Sequence, residues 1–436
     1  MKIGIIGSGH VGLVTGACFA DLGNEVILMD HDVKKIKLLE QGKAPFYEPG
    51  LLELVKKNRA QGRISLTSNI RDAVKFAKII FLCVGTPPRD NGEVDLSAVE
   101  HVALAIAESL TDYRLIVEKS TVPVATGVQV YKTIKESNHR KISFDVASNP
   151  EFLREGSAVQ DFLNPDRIVI GVENARSKKL LLELYKPFKA PILVTDIRSA
   201  EMIKHASNSF LAAKISFINL VSQICEKTGA DISKVAEGMG ADPRIGRAFL
   251  NAGVGYGGMC FPKDLQAFRR IGEKLNINCD ILKGVQDINE MQKSNFVNKV
   301  QDILWNLSGK TLAVLGLAFK PDTDDMRYAP SVDILKRLKA EGTQIVAYDP
   351  CAQNTAKEVL NGIRFAKTPY DACRKADALL ILTEWREFRE LDLKRIKRLL
   401  KRPVVIDGRN IYDPLEMKKN GFRYYCVGRP WTNDRS

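Results

Sequence analysis

The first thirty residues restrict the fold more than any other stretch. Lys2 to Ile6 is a short β-branched run of the kind that fills a buried parallel strand. It enters Gly7-Ser8-Gly9-His10-Val11-Gly12, a GxGxxG motif, and a second apolar run, Glu25 to Met29, ends in Asp30. In such a unit Gly7 makes the tight turn, Gly9 lets a pyrophosphate approach the backbone, and Gly12 lets the helix pack on the strand. The helix N-terminus then offers free amides to phosphate. Asp30 stands where a carboxylate meets ribose hydroxyls and repels a 2′-phosphate, so the unit predicts an NAD site rather than an NADP site. Lys35, five residues on, is either a contact on the adenosine side or a solvated helix lysine.

Apolar runs at Ile79 to Val84, Leu115 to Glu118, Asp145 to Ser148 and Ile168 to Gly171 continue the strand pattern. Ligands gather at the carboxyl ends of parallel strands. Gly85-Thr86-Pro87-Pro88 and Lys119-Ser120-Thr121-Val122-Pro123 bring polar groups to that edge, and Asn149-Pro150-Glu151-Phe152-Leu153-Arg154-Glu155-Gly156 follows. A helix starting after Pro150 would put Glu151 and Glu155 on one face. From Ser199 to about Asn298 the pattern turns helical, starting with a long helix from near Ala200 to Thr228. On it Lys204 and Asn208 lie one turn apart, a cation and an amide that suit an oxyanion or simply a surface.

The C-terminal third echoes the opening. Thr311 to Leu315 ends at Gly316, Gln344 to Tyr348 ends at Asp349, and Ala378 to Thr383 is a third strand. After Gly316, however, LAFKPDTDDMR contains no GxGxxG, which predicts a second doubly wound domain holding a different ligand. Lys320 and Arg327, with Arg409 in the DGRN stretch after Pro403 to Ile406, are three cations expected to converge on a cleft and hold phosphates. The expected fold is α/β: two doubly wound Rossmann-like domains joined by a long central helix. Residues 1–198 form the NAD-binding domain, 199–298 the central helical and dimerisation region, and 299–436 the C-terminal domain.

The central region contains Gly253 to Asp264, GVGYGGMCFPKD, where four glycines leave the backbone bare for a substrate to approach. They lead into Cys260, followed by Lys263 and Asp264. The residues alone leave two readings, a nucleophile in a pocket or a buried thiol in a glycine-rich loop. With 436 residues the chain exceeds a single core. Its eight cysteines are scattered without CxxC pairs, so reduced thiols and no metal are expected. No long apolar run and no leader pattern is present, which predicts a cytoplasmic, soluble protein. A net charge of +13 invites a nucleic-acid reading. The basic residues are spread along amphipathic helices without interleaved aromatics, so a small polyanion is the expected partner, with neither nucleic acid nor membrane.

KSTVP, NPEFLREG, KHASNSFLAAKISFIN, ADPRIG, CFPKD, FKPDTDDMR and DGRN follow one another in a single order. With them the chain resembles the UDP-glucose/GDP-mannose dehydrogenase family over essentially its whole length. GYGGMCFPKD is most similar to the branch that oxidises UDP-glucose, although Met259 stands where serine is commoner and His10 where tyrosine is usual. The resemblance implies a four-electron oxidation of the C6 alcohol of UDP-glucose to the carboxylate of UDP-glucuronate, with two NAD consumed in turn. It gives Cys260 the nucleophile's role through a thiohemiacetal and a thioester, and Lys204 and Asn208 the oxyanion. It gives Lys204, Asp264 and Thr121 a proton-relaying water, and Glu151 with Asp264 the water that hydrolyses the thioester.

Cofactor contacts carried over by the resemblance are Gly7, Gly9, His10, Val11, Gly12, Asp30 and Lys35 in the opening unit, then Thr86, Thr121, Glu155, Lys263 and Arg327. The substrate contacts are Glu151, Phe152 and Leu153, Lys204 and Asn208 on the helix, Phe249, Tyr256 and Gly257, and Phe319, Lys320 and Arg409. Arg244 is implied to reach the substrate of a neighbouring subunit in a homodimer or higher oligomer built on the long helix. The alternatives are a member acting on a UDP-N-acetyl-hexosamine or GDP-mannose, and a two-electron NAD-dependent dehydrogenase in which Cys260 is structural.

Overall fold

The computed structural model describes residues 1–430, so the last six residues of the 299–436 segment lie outside the described residues. The chain divides into two compact units, Met1–Ser207 with Gln266–Leu275, and Asn208–Leu265 with the chain from Asn276 onward.

The first unit is built on eight strands: β1 (Lys2–Ile6), β2 (Glu25–Met29), β3 (Ile64–Thr67), β4 (Ile79–Leu82), β5 (Arg114–Glu118), β6 (Phe144–Ser148), β7 (Ile168–Val172) and β8 (Ile192–Thr195). Their order in the sheet is β3-β2-β1-β4-β5-β6-β7-β8. The first six run parallel, whereas β7 pairs antiparallel with β6, with Ala147 opposite Val172, and β8 runs parallel to β7. Sequence reading ends this sheet at β7 and passes over β3 and β8. Both are edge strands whose residues are mostly half-buried or exposed, so neither has the continuous apolar run that marks a buried strand.

Alternation along the strands sends Ile3, Ile5, Leu28, Phe81 and Val117 to one face and Ile6, Ile27, Ile80, Leu82 and Ile116 to the other. The His10–Asp21 helix packs on the first face, where fully buried Phe19 meets the rings of Phe81, Phe162 and Tyr185 at 5.0–5.7 Å. Burying one such side chain contributes roughly 1.5–3 kcal/mol.

The second unit contains six parallel strands, β9 (Thr311–Leu315), β10 (Gln344–Tyr348), β11 (Arg364–Phe365), β12 (Ala378–Ile381), β13 (Val404–Asp407) and β14 (Arg423–Cys426). Their order, β11-β10-β9-β12-β13-β14, repeats that of the first six strands of the other sheet, except that the first sheet's order then extends to β7 and β8. Each sheet reverses direction of growth once, between β1 and β4 and between β9 and β12, and ligands of doubly wound sheets bind at such points. Both turns need glycine. Gly7 has φ +101, and a Cβ there would lie 2.5 Å from the Cys83 carbonyl oxygen; Gly316 has φ +92, and its Cβ would lie 2.4 Å from that of Thr383.

The helices expected in the centre are Ile197–Thr228, a single element starting slightly before the anticipated position, then Ile232–Gly240, Cys260–Lys274 and Asp280–Leu304. Ile218, Phe296 and Val300 from these helices join Leu312, Val314 and Leu380 in the second unit's core. Among the described residues no helix is long and apolar enough to cross a membrane.

Candidate active site

In the first unit the glycine motif divides its work as the sequence predicts. A Cβ at Gly12 would sit 1.8 Å from the Gly7 carbonyl oxygen, so only glycine lets the first helix approach the turn. At Gly9 an added Cβ would meet no protein atom within 4 Å, so the room it leaves lies outside the protein's own packing. Asp30 is buried at the end of β2, accepting from Ser8 N at 2.8 Å and Asp32 N at 3.0 Å, with Lys35 Nζ 3.6 Å away. Cradle, helix start and terminal acid fit a dinucleotide that carries a free 2′-hydroxyl. Val11 lies half-buried on the first helix. His10 is held by the protein, its Nε2 2.7 Å from Glu48 and its ring 5.0 Å from that of Phe46. Glu48 also accepts from Gly156 N and Ala158 N, tying the helix start to the NPEFLREG segment. Nothing in the local pattern around Glu48 marks this role, because its partners lie 38 to 110 residues away.

The condition for a shared helical face after Pro150 is not met. No helix follows Pro150; the next one is Ala158–Leu163, and Glu151 and Glu155 do not share a helical face. Carboxylates take the backbone amides first. Glu151 Oε2 accepts from Leu153 N at 2.6 Å, Asp161 Oδ2 from Arg154 N, and Glu48 from the two amides beyond. Glu151 Oε1 lies 2.9 Å from Lys204 Nζ, and both side chains are almost wholly buried. The Phe152 ring lies under the Arg167 guanidinium at 3.6 Å and 5.4 Å from Lys204 Nζ; Leu153 and Glu155 are half-buried. Glu151, Phe152 and Arg167 line a cavity of about 100 Å³ with Lys119. The Lys119 ammonium, pushed down to about 8 by burial, donates to Asn149 Oδ1 at 3.0 Å.

Thr86 Oγ1 donates to the Thr121 carbonyl, joining the loops that follow β4 and β5. The Thr121 loop is anchored by residues that local sequence patterns did not single out. Glu201 accepts from Ala125 N at 2.6 Å and Gly127 N at 2.8 Å, and His205 Nε2 donates to the Val122 carbonyl at 2.8 Å. Their spacing of four, one turn of the long helix, was visible but without a partner to read it against.

In the second unit each glycine of the run has a protein atom on the side where a Cβ would stand. A Cβ at Gly253 would lie 3.0 Å from the Gly408 carbonyl oxygen, at Gly255 2.8 Å from Asn289 Oδ1, at Gly257 2.4 Å from the Tyr328 carbonyl oxygen, and at Gly258 2.7 Å from the Phe319 ring. Phe319 thus packs against the loop, and Tyr256 lies edge-on to Phe261, their centroids 5.9 Å apart. Phe249, at φ 65°, sets its ring 6.2 Å from the same phenylalanine.

Cys260 is the first residue of the Cys260–Lys274 helix and is exposed. Burial pushes the thiols of Cys18, Cys83, Cys373 and Cys426 up to about 12, away from the thiolate form. One turn into the same helix, Asp264 accepts from Asn208 Nδ2 at 2.6 Å, and Lys263 Nζ lies 3.0 Å from its other oxygen.

The three cations of the C-terminal third each have contacts within the second unit. Arg409 donates from Nε, Nη1 and Nη2 to the carbonyls of Leu382, Gly255 and Phe319, holding the glycine loop to the sheet. Arg327 pairs with Asp325 of its own turn, and Lys320 Nζ stands 5.5 Å from the Phe319 ring centroid. Arg244 is exposed and paired with Asp242. Tyr256, Asn289, Lys293, Arg327 and Tyr328 border a cavity of about 420 Å³.

Three models of one family match the chain. Residues 1–189 match the NAD binding domain of the UDP-glucose/GDP-mannose dehydrogenase family, residues 198–291 its central domain and residues 313–414 its UDP binding domain. Among curated proteins, the UDP-glucose 6-dehydrogenase TuaD of Bacillus subtilis is 47% identical over 98% of this chain and 93% of its own length. The UDP-glucose 6-dehydrogenase of Rhizobium meliloti is 44% identical over 99% and 100%. A UDP-glucose dehydrogenase from the archaeon Pyrobaculum islandicum superposes with a TM-score of 0.91 at 38% identity, covering 97% of this chain and 96% of that one. A UDP-D-ManNAc dehydrogenase from Pyrococcus horikoshii gives 0.86 at 26% identity, covering 98% and 99%.

Proposed function

Because the chain belongs to the UDP-glucose/GDP-mannose dehydrogenase family, we propose that it oxidises the C6 alcohol of UDP-glucose to the carboxylate of UDP-glucuronate, with two NAD per sugar. Relatives of that name at 44–47% identity support the choice of sugar. The observation that carries the chemistry is the place of Cys260, an exposed thiol at a helix start, where the positive end of the helix dipole favours an anion.

NAD supplies the hydride acceptor in both oxidations, and Gly7, Gly9, Gly12 and Asp30 would hold it, with Thr86, Thr121, Glu155, Lys263 and Arg327 as further contacts. The chain's own groups do the rest. Lys204, Asp264 and Thr121 orient a water that carries away the alcohol's proton. Cys260 attacks the resulting aldehyde, forming a carbon–sulfur bond and a thiohemiacetal whose oxyanion Lys204 and Asn208 stabilise. Loss of the second hydride leaves a thioester. Glu151, already hydrogen-bonded and ion-paired, activates water with Asp264; water adds to the carbonyl, the carbon–sulfur bond breaks, and Cys260 leaves as thiolate. Phe319, Lys320 and Arg409 serve the nucleotide-sugar, Arg409 by holding the glycine loop to which Tyr256 and Gly257 belong.

We read residues 1–198 as the NAD part, 199–298 as the central part and 299–436 as the UDP-sugar part, acting in the cytoplasm. The long helix exposes Phe210, Phe217, Leu220 and Ile224. Spacings of seven, three and four set them on one stripe, the pattern of a helix that pairs with another, and we assign it to a second copy of this chain. Arg244 then serves the partner's substrate.

The test is NADH formed per sugar with limiting UDP-glucose, UDP-N-acetylglucosamine, UDP-N-acetylmannosamine or GDP-mannose, for wild type and Cys260→Ser. Two NADH per UDP-glucose, with Cys260→Ser blocked before the acid, is the expected result. One NADH per sugar, or no effect of the substitution, would retire the thioester; activity on another sugar alone would move the substrate.

A further inference from the structure

The glycine loop is irregular and buried, so its backbone polar groups have no ladder to pair with and need other partners. Side-chain amides provide them. Asn219 Oδ1 accepts from Gly253 N at 2.9 Å, and Gln292 Nε2 donates to Gly253 O at 2.8 Å. Asn289 Oδ1 accepts from Tyr256 N at 2.8 Å while its Nδ2 donates to Tyr256 O at 3.1 Å. Each of the three amides is at least 95% buried. Asn219 comes from the Ile197–Thr228 helix, and Asn289 and Gln292 lie three residues apart on Asp280–Leu304. Gln292 is itself held, its Oε1 accepting from Gln223 Nε2 at 3.0 Å. A side-chain amide carries a donor and an acceptor on one rigid plane, which lets Asn289 meet both polar groups of Tyr256 at once. Gly255, at φ +107, is bare on the side where Asn289 stands.

We infer that Asn219, Asn289 and Gln292 are positioning residues: they clamp the loop from Gly253 to Tyr256 and so hold Cys260, four residues further on, in register to capture the aldehyde. This rests on the reading of Cys260 as nucleophile. A thiol displaced by about an ångström loses roughly 10–100-fold in rate, and an uncaptured aldehyde leaves after one hydride instead of two. The clamp therefore governs stoichiometry as well as rate, which a contribution to stability alone does not.

The experiment measures NADH per UDP-glucose, kcat, and KM for NAD, in wild type, Asn289→Ala, Asn289→Asp, Gln292→Met and Cys260→Ser. Asn289→Ala is expected to lower kcat by about 10–100-fold, bring the yield from two NADH towards one with free aldehyde, and leave KM for NAD unchanged. Asn289→Asp keeps the acceptor for Tyr256 N and falls between. Gln292→Met keeps the volume and removes one of the loop's four clamp bonds, together with the bond to Gln223, so it shows a smaller shift of the same kind; it carries the test if Asn289→Ala does not fold. Wild-type kcat with two NADH per sugar in the clamp variants, alongside a blocked Cys260→Ser, would overturn the inference alone. Two NADH per sugar from Cys260→Ser would overturn the cysteine reading, and the inference with it.

Discussion

Glu118 and Glu201 are the two carboxyls in the first unit that burial disturbs most. Glu118 ends β5 wholly buried, one oxygen accepting from Ser120 N and the other without a hydrogen-bond partner among the described residues. Burial, with Glu201 adding to it, pushes its carboxyl up to about 8, and burial pushes Glu201 up to about 7 against two backbone amides that favour its charge. Both folded values are raised above 4.5, so between there and about 8 the folded chain holds protons that the unfolded chain has lost. That contribution is complete below 4.5, shrinks as pH rises through the folded values, and is gone above about 8. Glu118→Gln stays neutral at every pH. Its melting temperature should match wild type near pH 5 and exceed it by several degrees near pH 8.5, as a thermal-shift series would read; parallel curves would contradict the assignment. Single-residue pairings of this sort were not legible beforehand, since VEKSTVP carries no sign that a glutamate on a later helix stands beside Glu118.

At the scale of elements, the Thr126–Ser137 helix starts at Ala125, which has φ 76° and no capping side chain of its own. Glu201 supplies the cap from another helix, accepting from two of the first-turn amides. Glu201→Gln keeps one acceptor and turns an NH₂ group towards the second amide, so it should cost about 1–3 kcal/mol. Hydrogen exchange in the first turn of Thr126–Ser137 should quicken while exchange in β1 does not; unchanged protection at Ala125 and Gly127 would count against the cap. The residues after Pro150 satisfy i, i+4 spacing, yet Glu48, Glu151 and Asp161 claim their amides first, and Glu48 lies far outside any local window.

At the scale of the whole molecule, the stripe of Phe210, Phe217, Leu220 and Ile224 bears on assembly. Phe217→Glu places a charge in the middle of that stripe and, on the proposed dimer, should yield a monomer in sedimentation with loss of turnover, because the proposed reach of Arg244 to the partner's substrate is lost; a fully active monomeric wild type would remove the dimer. The repeated sheet belongs to this scale too. Gly7 and Gly316 make equivalent turns, but the acids that follow have diverged. Asp30 accepts from two amides, those of Ser8 and Asp32, whereas Asp349 accepts from four amides and the Trp385 indole, which leaves its carboxylate committed to the fold. Periodic and contiguous signals in the sequence determined the two doubly wound sheets, the glycine turn, Asp30 and the long helix, because strand alternation, positive φ and helical spacing are local constraints. Only the tertiary structure decided what meets each glycine of the Gly253–Gly258 run, that Lys204 pairs with Glu151, and that buried amides hold the loop. Those contacts join segments tens to hundreds of residues apart, and which buried polar group finds which partner is settled by packing.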